Sequence, residues 1–254
     1  MQIIFLGTGT SHGVPMIGCD CGTCRSDDPR DRRTRPSIHI TAGDGTALLV
    51  DAGPDLRIQA LRHDIRRVDA IFFTHGHADH IVGLDDVRRF NAIQQRRIPC
   101  YGDALTVSDI ARMFAYVFDT ATPKGGGVPR LDLFTIAGTF CLGAMEIVPV
   151  PIFHGARQIL GLRAGCFAYL TDCSRIPDDS WPLLEGLDLL VLDALRDRPH
   201  PTHFTLDEAV EAATRVNAGR TYFTHMTHDL RHEPTCARLP KGMELAYDGL
   251  VVNC

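Results

Sequence analysis

The chain has 254 residues, 44% of them hydrophobic, with 23 glycines and a formal net charge of −5; this is enough to bury a substantial core in a single α/β domain spanning 1–254. The negative balance excludes a general basic footprint for bulk nucleic acid, although Arg30, Arg32, Arg33 and Arg35 form a local cluster that could meet a phosphate. No run approaches the roughly 18 apolar residues that span a bilayer, and the opening MQIIFLGTGTSHG is too short in apolar residues for a signal peptide, so a cytoplasmic protein is expected. In that reducing setting nine cysteines, an odd number, argue against a disulfide framework and leave metal ligation or burial.

In chain order, Gln2 to Leu6, Ser37 to Thr41, Ala47 to Val50, Ala70 to Phe73, Glu146 to Val150, Phe167 to Leu170, Leu189 to Leu192 and Thr221 to Phe223 are short runs rich in β-branched or aromatic residues and read as strands. Between them, Pro54 to His63, Leu84 to Gln95, Ala104 to Phe118 and Leu206 to Asn217 repeat apolar residues at helical spacing, with a capping box at Thr205 and Glu208. Such interleaving predicts an α/β layered fold. Asp51, His75, His154, Asp172 and His225 each fall at or just beyond the end of one of these strands. If those ends share one edge of the fold, the loops converge on one site.

The densest signal is THGHADH at residues 74–80. His75, His77, Asp79 and His80 are all ligands for a borderline metal, yet four side chains this close cannot surround one ion without strain. His75, His77 and His154 could hold one ion and Asp79, His80 and His225 a second, with Asp172 bridging. Two ions roughly 3.5–4 Å apart, sharing a carboxylate and a hydroxide, make a strong nucleophile and a clamp for developing charge. Asp51 is expected behind the ligands, fixing an imidazole. Taken singly, His154 or His225 would read as an ordinary structural histidine and Asp51 or Asp172 as a turn residue; the combination is what is specific.

This pattern of Asp, HxHxDH, His, Asp and His resembles the metallo-β-lactamase superfamily over nearly the whole chain. The resemblance implies an αββα sandwich, two central mixed sheets flanked by helices, with a dinuclear site at one edge. Asp172, not a cysteine, occupies the bridging place, unlike a true β-lactamase, and Cys173 is expected to pack. His77 stands where di-iron redox members carry glutamate.

In GCDCGTC, Cys19, Cys21 and Cys24 form CxCxxC, which suits a structural zinc with one further ligand; His228 of THMTH is the candidate, and three small buried cysteines are the alternative. Together with GTGTSHGVP at residues 7–15, this arrangement is similar to the phosphoribosyl cyclic phosphodiesterase branch, close to ribonuclease Z. The long tRNA-binding arm of the ribonuclease is not evident, and KGGGV from Lys124 to Val128 is only a short glycine-rich loop. In this branch a histidine ahead of a helix serves the leaving group; His203 in HPTHFTLDEA occupies that place, with His200 its near neighbour.

The resulting expectation is hydrolysis of a small, cyclic phosphodiester by bridging-hydroxide attack, with two catalytic zinc or manganese ions, one structural zinc, and His203, Asp79 and Asp51 carrying the chemistry. The carboxylate and imidazole ligands also admit iron, and family analogy a homodimer. Alternatives are a ribonuclease Z-like RNA 3′-end nuclease, a thioester hydrolase resembling glyoxalase II, and a noncatalytic metal-binding module.

Overall fold

The computed structural model describes residues 1–119 and 127–254. Along the described chain run β1 (Gln2–Gly7), β2 (Ser37–Thr41), β3 (Ala47–Val50), β4 (Ala70–Phe72), β5 (Ile98–Gly102), β6 (Leu131–Thr135), β7 (Phe140–Leu142), β8 (Met145–His154), β9 (Arg157–Ala164), β10 (Phe167–Leu170), β11 (Leu189–Asp193), β12 (Arg220–Thr224), β13 (Met243–Leu245) and β14 (Val251–Asn253). The α-helices are α1 (Leu56–Arg62), α2 (Ala78–Ile81), α3 (Arg88–Gln94), α4 (Ala104–Met113), α5 (Ala115–Phe118), α6 (Leu206–Val216) and α7 (His232–Cys236).

The strands form two seven-stranded sheets, in the orders β14-β1-β2-β3-β4-β5-β6 and β13-β12-β11-β10-β9-β8-β7. Each is antiparallel in one half and parallel in the other, with β3 and β10 at the change. Parallel strands are covered on both faces, and here β3 (ALLV), β4 (AIF), β10 (FAYL) and β11 (LLVLD) are buried at every position. That is why they read as unbroken apolar runs instead of alternating ones.

Three apolar layers hold the stack together. Phe5, Ile38, Leu48 and Phe72 of one sheet meet Ile147, Leu162, Tyr169 and Val191 of the other. Leu49, Ile71 and Phe73 pack against Leu56, Phe90 and Ile110 on the outer face of the first sheet. Leu170, Leu190 and Leu192 pack against Leu206, Ala209 and Ala213 of α6 on the outer face of the second. The expected αββα sandwich is therefore the observed architecture, and the small alanines let α6 lie close to its sheet.

Several expectations need correction. The helix expected over Leu84 to Gln95 opens as a 3₁₀ segment, Val82–Val87, before α3. The one expected over Ala104 to Phe118 breaks at Phe114, whose φ and ψ of −108° and 39° are not helical. The strand expected to stop at Val150 continues to His154 despite Pro149 and Pro151. Proline is tolerated on an edge, and β7 covers β8 only over Met145, Glu146 and Ile147, so both prolines sit where β8 has a free side. Cys166 and Cys254 are joined in a disulfide, contrary to the expectation of none; the partners are 88 residues apart and no spacing motif connects them. Residues 124–126 of the KGGGV loop lie outside the described residues. Among the described residues no helix is long and apolar enough to cross a membrane.

Candidate metal centre

The backbone aims the site before any side chain does. Asp51, Asp172 and His225 follow β3, β10 and β12 and hold φ of 61°, 58° and 63°, the left-handed region that residues other than glycine rarely enter. Each chain turns sharply as it leaves its strand, throwing the side chain over the sheet edge; such conformations persist only where surrounding structure imposes them. The glycines nearby serve close approach. A Cβ at Gly53 would run into the carbonyl of Asp79, and one at Gly83 into that of Gly53, so the loop after β3 lies directly on the segment carrying Asp79 and His80. The Ala52 amide donates to the His80 carbonyl at 2.7 Å and the Gly83 amide to the Ala52 carbonyl at 2.8 Å.

The expected ligands converge. Nitrogen and oxygen atoms of His75, His77 and His154 lie within 4.8 Å of one another, as do those of Asp79, His80 and His225, and those of His75, His80 and Asp172. The two oxygens of Asp172 face different partners. Oδ1 lies 3.2 Å from His225 Nε2 and 3.9 Å from His75 Nε2, whereas Oδ2 lies 3.3 Å from His80 Nε2. Asp79 Oδ2 is 3.5 Å from His80 Nε2 and 3.6 Å from His225 Nε2. His77 is exposed and marks the open side of the cluster, while His75, His80 and His225 are buried.

Two of the imidazoles, His80 and His154, are held by their outward nitrogens. His80 Nδ1 lies 2.7 Å from Asp51 Oδ2, and Asp51 also accepts the amide and hydroxyl of Thr74, both at 2.9 Å. Asp51 thus orients His80 from behind. His154 Nδ1 donates to the Thr202 carbonyl at 2.8 Å, leaving Nε2 directed inward. Burial pushes His154 down to about 4 and holds His75 well below the usual imidazole range, with the His80 charge adding to the effect on His75. Both are therefore neutral at physiological pH, the form that binds a metal. At His80 burial acts downward as well, but Asp172, Asp79 and Asp51 outweigh it and raise the ring well above its ordinary value. The buried Nε2 atoms of His80 and His225 have no hydrogen-bond partner. Orphaned nitrogens facing the buried Asp172 and partly buried Asp79 carboxylates are what a pair of divalent cations would satisfy.

His203 joins this centre. Its ring centroid is 4.6 Å from that of His154 and 4.7 Å from that of His225. His200 stands behind it, 5.1 Å from the His203 centroid and hydrogen-bonded through Nδ1 to the Thr202 hydroxyl at 3.1 Å. Of the two histidines, the fold brings His203 to the cluster. Sequence reading overlooks Asp193. It is fully buried, with Oδ1 3.3 Å from His203 Nδ1 and 3.5 Å from His225 Nδ1, and Oδ2 accepting the Phe204 amide at 3.1 Å. The signal was present, since Asp193 ends LLVLD just as Asp51 follows ALLV; the strand was ended one residue short. Thr74, which braces Asp51, also went unnoticed beside the histidines that follow it.

A second cluster lies apart. Cys19, Cys21 and Cys24 bring their sulfurs to 3.2, 3.2 and 3.5 Å from His228 Nδ1. The Cys24 amide points at the Cys21 sulfur and pulls that thiol down to about 6, while burial pushes Cys24 up to about 11. Three sulfurs and one imidazole nitrogen are the donor set of a closed tetrahedral zinc site. Cys173 is fully buried beside Asp172 and packs, as expected.

Comparison with known proteins agrees with this geometry. The profile described as "Beta-lactamase superfamily domain" matches residues 46–226. The crystal structure of a diphosphatase from the PhnP family is 47% identical, with a TM-score of 0.92, covering 99% of this chain and 96% of its own. An octanoyltransferase of Porphyromonas gingivalis is 34% identical over 98% of this chain; the chain spans only 51% of that relative's length. The Zn2+-bound PqqB of Methylobacterium extorquens shares the fold at a TM-score of 0.81 and 19% identity, covering 100% of both chains. With its ligand-bearing strand ends, its two facing sheets and these matches, the chain belongs to the metallo-β-lactamase superfamily, within the PhnP family.

Proposed function

We propose that this hydrolase cleaves small phosphodiesters, cyclic ones among them, at a dinuclear centre held by His75, His77, Asp79, His80, His154, Asp172 and His225. The observation that carries the reading is Asp172, whose carboxylate lies 3.9 Å from His75 of the first ligand set and 3.2 and 3.3 Å from His225 and His80 of the second, between the two sets as a bridging ligand must be. Two divalent ions there would supply Lewis-acid activation of the phosphate and lower the pKa of a water between them.

The protein's own groups do the rest. Asp51 and the Thr202 carbonyl keep His80 and His154 pointing inward. His203, beside the ligands and backed by Asp193 at Nδ1, is placed to give a proton from Nε2 of its imidazolium form to the departing alkoxide oxygen, and Asp193 orients the ring and favours that doubly protonated form. The exposed His77 edge is the approach for substrate. Zinc in the cysteine cluster would order residues 19–24 against the loop carrying His225.

The diphosphatase at 47% identity favours a second reading, in which the broken bond is the anhydride of a diphosphate. That leaving group is already stable as an anion and needs little protonation, so the two readings differ in their demand on His203. Metal-loaded protein assayed on a 2′,3′-cyclic nucleotide, a dinucleotide diphosphate, a precursor tRNA and a glutathione thioester separates them. The cyclic diester is expected to turn over fastest. A dominant diphosphate rate would establish the second reading, and turnover of the thioester alone would overturn both.

A further inference from the structure

His225 and His228 sit three residues apart on the loop after β12, yet they belong to different clusters. One side chain holds that loop from beneath. Arg33 is buried, its Nη1 donating to the Thr227 carbonyl at 2.8 Å and its Nη2 to the Leu230 carbonyl at 2.5 Å. Nη2 also faces Asp31 Oδ1 at 3.4 Å, and the same oxygen accepts the His232 amide at 2.8 Å. Arg33 thus grips the loop on both sides of His228.

The backbone of Arg33 belongs to the other half of the arrangement. It exchanges hydrogen bonds with Val14 at 2.7 and 2.8 Å, just ahead of the cysteine loop. The segment ahead of Val14 also binds the His225 loop directly, in a separate parallel bridge: the Met226 amide donates to the Thr8 carbonyl at 3.0 Å and the Thr10 amide to the Met226 carbonyl at 3.1 Å. Burial pushes the Arg33 guanidinium down to about 10, with Asp31 opposing, so it remains a cation at neutral pH. Its planar fork spans two carbonyls three residues apart, which a lysine ammonium, a single point charge, does not reproduce.

We infer that Arg33 is a positioning residue that fixes the loop of residues 224–230 and so couples the two clusters, filling of the cysteine site raising the affinity of the imidazole site for its own ion. The inference takes both clusters as metal sites and is independent of the substrate. Linkage makes the coupling reciprocal, and loss of groups that orient metal ligands typically costs about 10- to 100-fold in affinity.

The test uses cobalt(II) on the demetallated full chain, because thiolate ligation and imidazole–carboxylate ligation absorb in different spectral regions. Cobalt(II) is titrated into the imidazole site of the wild type in two states: one equivalent of cadmium(II) on the thiolates, or the thiols alkylated. About tenfold tighter binding is expected with cadmium in place. Arg33→Lys is expected to weaken cobalt(II) at both sites about tenfold and to shrink the cadmium effect to under about threefold. A folded Arg33→Lys protein with a lower melting temperature and wild-type affinities at both sites would reduce Arg33 to a fold-stabilising role and overturn the inference. If that variant does not fold, the wild-type pair decides alone, and equal cobalt(II) affinity in the two states overturns the coupling. Cobalt(II) that never enters the imidazole site would overturn the metal reading, and this proposal with it.

Discussion

The imidazole–carboxylate centre and the cysteine cluster share a loop but are built in opposite ways. The first collects its ligands from four places in the chain, all at the edge of two sheets, and His80, His154 and His225 are backed by Asp51, the Thr202 carbonyl and Asp193. Its geometry is a product of the fold. The second takes three of its four ligands from residues 19–24, a segment with no regular secondary structure, and among the described residues its sulfurs are met by two amides, those of Met16 and Cys24 at 3.4 Å each. There the ion would supply the order. The contrast teaches that removing metal from the first should leave a folded, inactive protein, while removing it from the second should loosen the structure and weaken the first site's hold on its ions without abolishing turnover in excess metal.

The largest expected effect tests the braced centre. Asp172→Ala removes the group facing both sets of imidazoles, and turnover should fall on the order of 10³-fold or more, with both catalytic ions lost together in metal analysis and little change in circular dichroism. A variant retaining two ions and near-normal turnover would break the comparison at its stronger side.

Next is His203→Ala, where general-acid assistance predicts a loss of about 10²- to 10⁴-fold on a 2′,3′-cyclic nucleotide. The loss on bis(nitrophenyl) phosphate should be far smaller, because nitrophenolate leaves unaided. Equal losses on both substrates would mean that His203 binds phosphate instead, and a larger loss in His200→Ala would move the role three residues upstream.

Asp51→Asn and Asp193→Asn sharpen the claim that bracing matters. Each should weaken a catalytic ion by about 10- to 100-fold, recovered in turnover by excess metal for Asp51→Asn. Asp193→Asn should also alter the pH–rate profile, since it touches His203 as well as His225. An Asp51→Asn protein with unchanged metal affinity would show that the fold alone holds His80.

The smallest kinetic effect belongs to the cysteine cluster. Substituting Cys19, Cys21 and Cys24 by serine should remove one zinc per chain and lower the melting temperature, while turnover in excess metal drops less than about tenfold. The Cys21 thiol is depressed to about 6, so its thiolate is present above that pH and is lost as the pH falls through it. Zinc release from this cluster, followed with a chromogenic chelator, should therefore steepen below about pH 6. A flat release curve would assign the binding to other ligands.

Legibility followed the same division. THGHADH was readable alone because four ligand-type residues in seven positions have no ordinary structural explanation, and CxCxxC was readable for a similar reason. Asp172 and His225 became readable only through their place after apolar runs in the parallel part of a sheet, and His154 through its place beyond the apolar run of the antiparallel β8. Asp193 escaped because its strand was ended one residue early. The Cys166–Cys254 bond and the grip of Arg33 on Thr227 and Leu230 escaped for a different reason: contacts across 88 and nearly 200 residues leave no periodicity to read. The antiparallel hairpin of β8 and β9 was half seen, its prolines hiding the far end of β8.

The left-handed turns at Asp51, Asp172 and His225 have a consequence for how this protein ages under mutation. Each non-glycine residue there carries a conformational cost of about 1–2 kcal/mol, maintained because the side chain is needed where the turn aims it. Glycine would relax the turn and delete the ligand or its brace in a single substitution. Asp172→Gly should therefore melt higher than Asp172→Ala by about 1 kcal/mol of stability, although neither is active. Selection for robustness alone would drift toward an inert protein at these three positions, and only selection for turnover holds the strained residues in place.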